Sequence, residues 1–163
     1  MTCRLHPPRL IDYETIASWI TDAAACVRWA GPRVPFPFAA SELPRLLTID
    51  GIESHCLVDG TSDICGFGQF WIASPGAVHL GRIIVSPTKR GKGYGRTLCQ
   101  QLIEKAVHKT GASEITLRVY RDNSVALSLY VDLGFLVDDS KSTDEVLFMK
   151  AAMQHITSMP DRA

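Results

Sequence analysis

The residues whose types and spacing best suit chemistry form a basic, glycine-rich turn, Arg90-Gly91-Lys92-Gly93-Tyr94-Gly95. A hydrophobic run ending in Ile83-Ile84-Val85 precedes it, and apolar residues at helical spacing follow it. The first N–H groups of a helix lack intrahelical partners, and the helix dipole adds partial positive charge there. Glycines let the backbone approach an anion, and Arg96 adds a full charge. The turn predicts a pyrophosphate site; a tight connection without a ligand is the alternative.

Two familiar nucleotide motifs do not describe this turn. The P-loop needs GxxxxGK followed by Ser or Thr, and the sequence lacks that pattern. The dinucleotide fingerprint needs GxGxxG within a parallel βαβ unit, whereas Gly91, Gly93 and Gly95 give GxGxG after a predicted antiparallel meander. A nucleotide-binding protein that uses the turn in another way stays an alternative.

A second motif begins 28 residues after Gly95. It reads Asn123-x-x-Ala126-x-x-Leu129-Tyr130-x-x-x-Gly134-Phe135. Together with Arg90-x-x-Gly93-x-Gly95, it resembles the signature of the GNAT superfamily of N-acetyltransferases. The resemblance covers about His79 to Lys150 and reaches the N-terminal part by element pattern only. It implies acetyl-coenzyme A (acetyl-CoA) as the co-substrate and an amine as the acceptor.

The resemblance implies a role for each donor-side residue. The strand before the turn splays from its neighbour at a bulge, and the backbone of Ile83-Ile84-Val85 bonds the pantetheine arm. The N–H groups from Gly91 to Arg96 hold the pyrophosphate, and Arg90 braces the turn or reaches a phosphate. Asn123 caps its helix and contacts the pantetheine, and Tyr130 is the general acid that protonates the departing thiolate. The alternatives are purely structural: a core strand, a helix cap and a core tyrosine.

The general base is less evident. Many relatives carry a glutamate on the strand before the turn, but this chain has His79-Leu80-Gly81-Arg82 there. His79 is a candidate base because the ordinary pKa of histidine lies near neutrality, although a histidine at a strand end is usually a surface residue. Glu42, Asp22 and Glu53 from the N-terminal half are further candidates, as is bulk water.

In such enzymes the first helices and their connecting loop usually wall the acceptor site. Here that wall is the aromatic, proline-rich segment from Trp29 to Phe38. A cationic acceptor would suit Trp29 or Phe36 by cation–π attraction, and Trp71 is a third aromatic candidate. The alternative is that these aromatics pack onto the sheet as core. The acceptor stays open among protein N-termini, lysines, amino acids, aminoglycosides and other small amines.

The elements that must position these residues follow from periodicity and turn signals. The predicted helices are Tyr13–Ala30 with Asp12 as cap, Ser41–Thr48, Gly95–Lys109 and Asn123–Leu133. The predicted strands are His55–Asp59, Ile64–Ala73, Val78–Val85, Glu114–Tyr120, one that opens at Phe135, and Val146–Met149. This order predicts an α+β fold: a GNAT-like mixed, mostly antiparallel sheet of about six to seven strands with about four flanking helices. The sheet is expected to splay at the strand before the turn.

Composition bounds the remaining choices. A length of 163 residues suits one domain, predicted over residues 1–150, with a weakly patterned tail over 151–163. The formal net charge of zero disfavours nucleic acid as a partner, and no segment approaches the length of a membrane helix. The five cysteines show no CxxC pair, which is typical of buried or free thiols in a reducing compartment. A cytoplasmic protein without a metal is expected, and the resemblance allows a homodimer.

The leading prediction is an acetyl-CoA-dependent N-acetyltransferase that works by direct transfer in a ternary complex. No cysteine is placed to form a covalent intermediate, since Cys99 lies within the helix after the turn. The alternative function is a catalytically weak sensor module that binds acyl-CoA. The absence of a glutamate on the strand before the turn favours this alternative.

Overall fold

The computed structural model describes residues 2–156. In this part of the chain the α-helices are α1 (Leu10–Ser18), α2 (Ala23–Ala30), α3 (Leu43–Leu47), α4 (Tyr94–Thr110), α5 (Ser124–Asp132) and α6 (Met153–Ile156). The strands are β1 (Arg4–His6), β2 (Ile52–Val58), β3 (Ile64–Ser74), β4 (Ala77–Val85), β5 (Glu114–Tyr120), β6 (Leu136–Val137) and β7 (Val146–Ala152). Short 3-10 turns cover Ala40–Glu42, Pro87–Lys89 and Asp139–Lys141.

The strands form a seven-stranded sheet in the order β1-β2-β3-β4-β5-β7-β6. The pairs β1–β2, β2–β3, β5–β7 and β6–β7 are antiparallel, and β4–β5 is parallel. The prediction of a mixed, mostly antiparallel α+β sheet is therefore confirmed.

The described residues divide into two compact units. The first comprises those of Met1–Trp71 and Gly81–Leu102, and the second those of Ile72–Leu80 and Ile103–Ala163. The single domain over residues 1–150 stays a prediction. The predicted tail begins inside β7, continues as α6, and beyond residue 156 lies outside the described residues.

The core of the first unit forms where α1, α2 and α3 meet β2, β3 and β4. Its buried side chains are Tyr13, Ile16, Ile20, Cys26, Ala30, Val34, Leu43, Leu47, Cys56, Phe67 and Ile84. Burying a large apolar side chain stabilises a fold by about 1.5–3 kcal/mol. Because Ile84 belongs to this core, the end of β4 that precedes the glycine-rich turn is held in place by packing.

In the second unit, buried side chains lie on β4, α4, β5, α5 and β7. Ile115, Leu117 and Val119 alternate inward along β5, with exposures of 0%, 1% and 5%. Tyr130 and Met149 are buried as well. The prediction of β5 over Glu114–Tyr120 is confirmed at both ends, because alternation marks a strand clearly.

The first predicted helix is wrong in its extent. The segment Tyr13–Ala30 contains two helices, since Asp22 accepts a hydrogen bond from the Ala25 N–H at 2.7 Å and caps a second helix. Asp12 is not the residue before α1 but lies in its first turn, where its carboxylate accepts from the Arg9 N–H at 2.7 Å. The apolar spacing continues across both helices, so periodicity alone hides the break.

Candidate active site

β4 supplies the backbone for the predicted donor site. Its pairing with β5 runs from Ala77↔Glu114 to His79↔Thr116, whereas β4 itself continues to Val85. Arg82 has a φ of +50°, which a residue with a side chain adopts at a cost of about 1–2 kcal/mol. This irregularity lies in the strand for which the family resemblance implies a bulge.

Two glycines of β3 allow close approach to β4 and α4. A Cβ at Gly66 would lie 2.9 Å from the backbone oxygen of Ile84 and 3.0 Å from the Leu98 side chain. A Cβ at Gly68 would lie 2.5 Å from the end of the Leu102 side chain. The position of the β4 backbone therefore depends directly on the absence of a side chain at Gly66.

The glycine-rich turn has the conformation that its sequence requires. After the 3-10 turn Pro87–Lys89, Gly91 has a φ of +72° and Gly93 a φ of +86°, and α4 begins at Tyr94. Only glycine adopts such angles readily. The Thr97 N–H donates to the Gly93 carbonyl at 3.2 Å, which starts the helical ladder. The earlier N–H groups of the first turn have no intrahelical acceptor, as an anion site needs.

Of the three basic side chains in the glycine-rich turn and the first turn of α4, two brace the glycine-rich turn. Arg90 donates from Nε to the Val85 carbonyl at 3.3 Å, and Lys92 donates to the Thr88 carbonyl at 3.1 Å. Both side chains are exposed, so they brace the turn while adding positive charge to it. Arg96 is partly buried in the first turn of α4.

An ion pair that sequence reasoning missed anchors the start of the turn. Lys89 Nζ lies 2.8 Å from Asp59 in the β2–β3 connection. The hydrogen bond from Lys89, followed by that from Thr61, holds the pKa of Asp59 below its usual range. The two residues are 30 positions apart, so no local pattern signals the pair.

The three aromatic residues predicted to contact the acceptor differ in their surroundings. Trp29 donates from its indole Nε1 to the Arg82 carbonyl at 2.9 Å and lies edge-on to Phe67 with ring centres 6.2 Å apart. Phe36 is 37% exposed and lies edge-on to Phe38. The Trp71 ring covers Gly81, where a Cβ would lie 2.5 Å from it. Trp29 therefore ties α2 to the irregular part of β4.

A buried polar network, also missed from sequence, surrounds Arg82. Arg82 donates from Nη1 to Gln69 Oε1 at 2.8 Å and from Nε to the Ala30 carbonyl at 3.4 Å. Gln69 is 0% exposed and donates to the Leu47 carbonyl and to Ser54 Oγ, both at 2.8 Å. The sequence feature that could have indicated this network is Gln69, a polar residue within an otherwise apolar strand.

The second motif lies in the second unit. Asn123 is the N-cap of α5, and its Oδ1 accepts from the Ala126 N–H at 3.3 Å. Tyr130 is 6% exposed near the end of the same helix, edge-on to Phe135 with ring centres 6.0 Å apart. The capping part of the Asn123 prediction is thus observed, while the contact with pantetheine and the acid role of Tyr130 stay predictions.

His79 also lies in the second unit. Its Nδ1 is 2.8 Å from Thr116 Oγ1, and its ring stacks on Phe148 at 6.3 Å. Burial, and to a smaller extent the Arg118 charge, lower the pKa of His79 to about 4. The imidazole is therefore neutral at neutral pH, but it is a weak proton acceptor.

Two of the three acidic candidates for the base already have partners. Asp22 is the α2 cap, and Glu53 Oε2 lies 3.4 Å from His55 Nε2. Glu42 is exposed in the 3-10 turn before α3.

The five cysteines are all free, and four of them are buried. Burial raises the pKa of Cys56 and Cys99 to about 12, so these thiols are protonated at neutral pH.

One group of potential metal ligands occurs among the described residues. His6, Asp12 and Cys56 place their ligand atoms within 4.8 Å of one another. The Asp12 carboxylate, however, already binds the Arg9 guanidinium at 2.9 Å. The absence of a metal stays a prediction.

None of the helices in residues 2–156 combines the length and apolar character needed to cross a bilayer.

Comparison with known proteins places the chain in a family. The model of the acetyltransferase (GNAT) family matches residues 23–135, which include β4, the glycine-rich turn and the second motif. The chain belongs to the GNAT acetyltransferase family. The resemblance inferred from the two motifs is thereby confirmed.

Curated relatives match part of the chain. It is 40% identical over 83 residues to mycothiol acetyltransferase of Renibacterium salmoninarum, covering 48% of this chain and 24% of the relative. It is 35% identical over 89 residues to spermidine N(1)-acetyltransferase of Thermoplasma acidophilum, covering 55% of this chain and 54% of the relative. The matched part thus spans about half or less of these relatives' own lengths.

Solved structures match nearly the whole chain. Spermidine N-acetyltransferase from Vibrio cholerae, in complex with CoA and spermine, has a TM-score of 0.80 at 17% identity. The match covers 95% of this chain and 98% of that one. Aminoglycoside acetyltransferase AAC(6')-Ib, in complex with coenzyme A and kanamycin, has a TM-score of 0.76 at 17% identity, covering 96% of this chain and 98% of that one. At such identity these structures show the shared fold.

Proposed function

We propose that this chain is an acetyl-CoA-dependent N-acetyltransferase that moves an acetyl group to an amine by direct transfer. The observation that carries the proposal is the succession of β4, the turn with positive φ at Gly91 and Gly93, and the N-terminus of α4, inside a GNAT family match. Acetyltransferases are also the activities named for the curated relatives.

The residues present fit the cofactor on the donor side. The N–H groups from Gly91 to Arg96 would hold the pyrophosphate, with charge from Arg90 and Lys92. The backbone of Ile83-Ile84-Val85, which lies beyond the stretch of β4 paired with β5, would bond the pantetheine arm in the manner of a strand. The turn glycines remove the side chains that would keep the phosphates at a distance.

The chemical step needs a proton donor and a deprotonated amine. In our proposal the amine nitrogen forms a bond with the thioester carbonyl carbon, the carbon–sulfur bond breaks, and the Tyr130 hydroxyl gives its proton to the thiolate. Asn123 would orient the pantetheine through its side-chain amide.

The proton that the amine loses goes to a base whose identity the proposal leaves between His79 and water. A pKa near 4 makes His79 a weak base, which favours transfer to water.

The acceptor is proposed to be a primary amine. Spermidine and aminoglycoside acetyltransferases among the structures of the same fold support an amine acceptor. Trp29, Phe36 and Trp71 are the proposed acceptor contacts. Trp29 bonds the irregular part of β4, the Trp71 ring covers Gly81 of the same strand, and Phe36 lies in the segment after α2. A homodimer and a cytoplasmic location stay predictions.

The test is release of free CoA thiol from acetyl-CoA across a panel of amines, together with calorimetric titration of CoA. Turnover with at least one amine is expected. Binding of CoA without thiol release for any amine would instead favour the acyl-CoA sensor, and a larger thermal shift with ATP or NAD than with acetyl-CoA would favour a nucleotide-binding protein.

A matched pair of variants tests the phosphate turn. Gly91 and Gly51 both have positive φ, +72° and +81°, and a Cβ at either would meet nothing within 4 Å. Gly91→Asp and Gly51→Asp should therefore lose similar stability, about 1–2 kcal/mol. Only Gly91→Asp should weaken CoA binding, since its carboxylate repels the pyrophosphate. Equal CoA affinity of the two variants would remove the turn from the site.

A further inference from the structure

Arg82 combines a strained backbone with an incompletely partnered guanidinium. Its φ is +50°, and its Nε donates to the carbonyl of Ala30 at the end of α2 at 3.4 Å. Nη1 donates to Gln69 Oε1 at 2.8 Å. A guanidinium has five N–H groups. Within residues 2–156, these two bonds are its side-chain hydrogen bonds, so part of the guanidinium is left to bond a ligand.

Gln69 fixes the orientation of that guanidinium. Its side chain is fully buried, and its Nε2 donates to the Leu47 carbonyl and to Ser54 Oγ at 2.8 Å each. With both amide hydrogens used, the oxygen is the atom that faces Arg82. The guanidinium is therefore held in one position before any ligand arrives.

The positive charge at this position has no carboxylate partner within residues 2–156. Both acceptors of the Arg82 side chain, in Ala30 and Gln69, are neutral oxygens. Arg33 adds a second positive charge nearby, and its exposed side chain makes no hydrogen bond or ion pair with the described part of the chain. Partial burial of an unpaired charge is unfavourable, and an anionic ligand would offset it.

The position of Arg82 on β4 separates it from the phosphate turn. Ser86 follows Arg82 by four residues, about 13 Å along an extended strand. In the proposed binding mode, a pantetheine arm that starts at the turn and bonds Val85, Ile84 and Ile83 in sequence would run toward Arg82. The pyrophosphate would then stay at the far end, and the thioester end would approach the guanidinium.

We infer that the acceptor amine carries a carboxylate, as a free amino acid does, and that Arg82 binds this carboxylate with support from the Arg33 charge. The inference rests on the proposed N-acetyltransferase function and specifies its substrate class. Guanidinium and carboxylate form paired, charge-assisted hydrogen bonds. The same two charges disfavour polyamines and aminoglycosides, the acceptors bound in structures of the same fold.

The experiment compares acceptors that differ only in the carboxylate. Thiol release is measured with phenylalanine against phenethylamine, tyrosine against tyramine, and lysine against cadaverine, with spermidine and kanamycin alongside. In each pair the carboxylate-bearing acceptor should have the higher kcat/KM, by about tenfold or more. A preference for the decarboxylated amines, spermidine or kanamycin would overturn the inference.

Variants separate carboxylate binding from support of the strand. Arg82→Gln should raise KM for phenylalanine about tenfold more than KM for phenethylamine, and Arg82→Lys should restore part of the difference. Arg33→Gln should give a smaller change in the same direction. Equal losses for both acceptors, accompanied by weaker CoA binding, would mean that Arg82 only positions β4 and would overturn the inference.

The two proposals fail in different ways. If acetyl-CoA is neither bound nor turned over, the N-acetyltransferase proposal fails and this inference with it. If CoA binds but no amine is acetylated, calorimetric titration of phenylalanine and phenethylamine into the CoA-loaded chain decides. Selective binding of phenylalanine that Arg82→Gln abolishes supports the carboxylate site, and its absence refutes it.

Discussion

Tyr130 is the residue on which the proposed chemistry depends most directly. Its ring is buried at 6% exposure within α5, so its environment is set by packing. A phenol in such surroundings can either complete a core or deliver a proton to a ligand at the edge of that core.

Replacement of Tyr130 distinguishes these roles. Tyr130→Phe should lower kcat by about 10²-fold or more, because a general acid contributes that much, while the Kd for CoA changes little. Tyr13→Phe is the matched control, since Tyr13 is also 6% exposed but lies in the core of the first unit. Thiol release and calorimetry report the two effects. Unchanged kcat in Tyr130→Phe would remove this hydroxyl from the mechanism.

His79 predicts a pH dependence of stability. Its pKa falls from 6.5 in the unfolded chain to about 4 in the folded one. Between these values the unfolded chain binds the proton and the folded chain does not, so the free energy of unfolding decreases as pH falls from about 6.5 to about 4. Urea denaturation at several pH values should show this decrease, and His79→Gln should flatten it.

The same series bears on catalysis. A base with a pKa of about 4 gives kcat/KM an acid limb near that pH, and His79→Gln would then lower kcat throughout the neutral range. Retention of kcat in His79→Gln would exclude His79 as the base.

At the scale of elements, β3 sets the place of β4. Gly66 and Gly68 both admit a neighbour so closely that a methyl group would overlap it, but the neighbours differ. At Gly66 the neighbour is the backbone of β4 itself, and at Gly68 it is the flexible end of a leucine side chain.

These glycines form a matched pair on one strand. Gly66→Ala should lower both stability and CoA affinity, because the added methyl displaces the Ile84 carbonyl and hence the edge proposed to bond pantetheine. Gly68→Ala should lower stability by about 1–3 kcal/mol through overpacking but leave CoA affinity largely intact. Thermal unfolding and calorimetry separate the effects. Equal changes in affinity would contradict the role given to the β4 edge.

At the scale of the whole molecule, the reactivity of the cysteine thiols tests both whether the chain is folded and how the acetyl group is transferred. Four cysteines are buried, and only Cys3 has intermediate exposure. Burial raises the pKa of Cys65 to about 11 and that of Cys56 to about 12, which keeps these thiols protonated and slow to react.

Alkylation of the native chain should therefore modify Cys3 first, whereas denaturant should expose all five thiols. Direct transfer predicts that the singly alkylated protein retains the proposed acetyltransferase activity, since in that mechanism no cysteine carries the acetyl group. Mass spectrometry and thiol release on the same sample check both statements. Loss of activity in step with alkylation that persists in Cys3→Ser would instead point to a buried cysteine near the site.

The sequence by itself determined most of the elements and the two motifs of this protein, because these are local properties. The apolar alternation of β5, the capping asparagine before α5 and the glycines at positive φ in the turn each express themselves within a few residues. Two such motifs in the correct order were sufficient to indicate the family that the match over residues 23–135 then showed.

The tertiary structure alone decided what depends on residues distant in the chain. The bond from Arg82 to Gln69 spans 13 positions, the Lys89–Asp59 pair 30, and the bond from Trp29 to Arg82 spans 53. Such contacts arise when packing brings distant side chains together, and the periodicity of apolar residues in the sequence does not indicate them. For the same reason the sequence did not show that His79, which was expected at the surface, is partly buried with a lowered pKa.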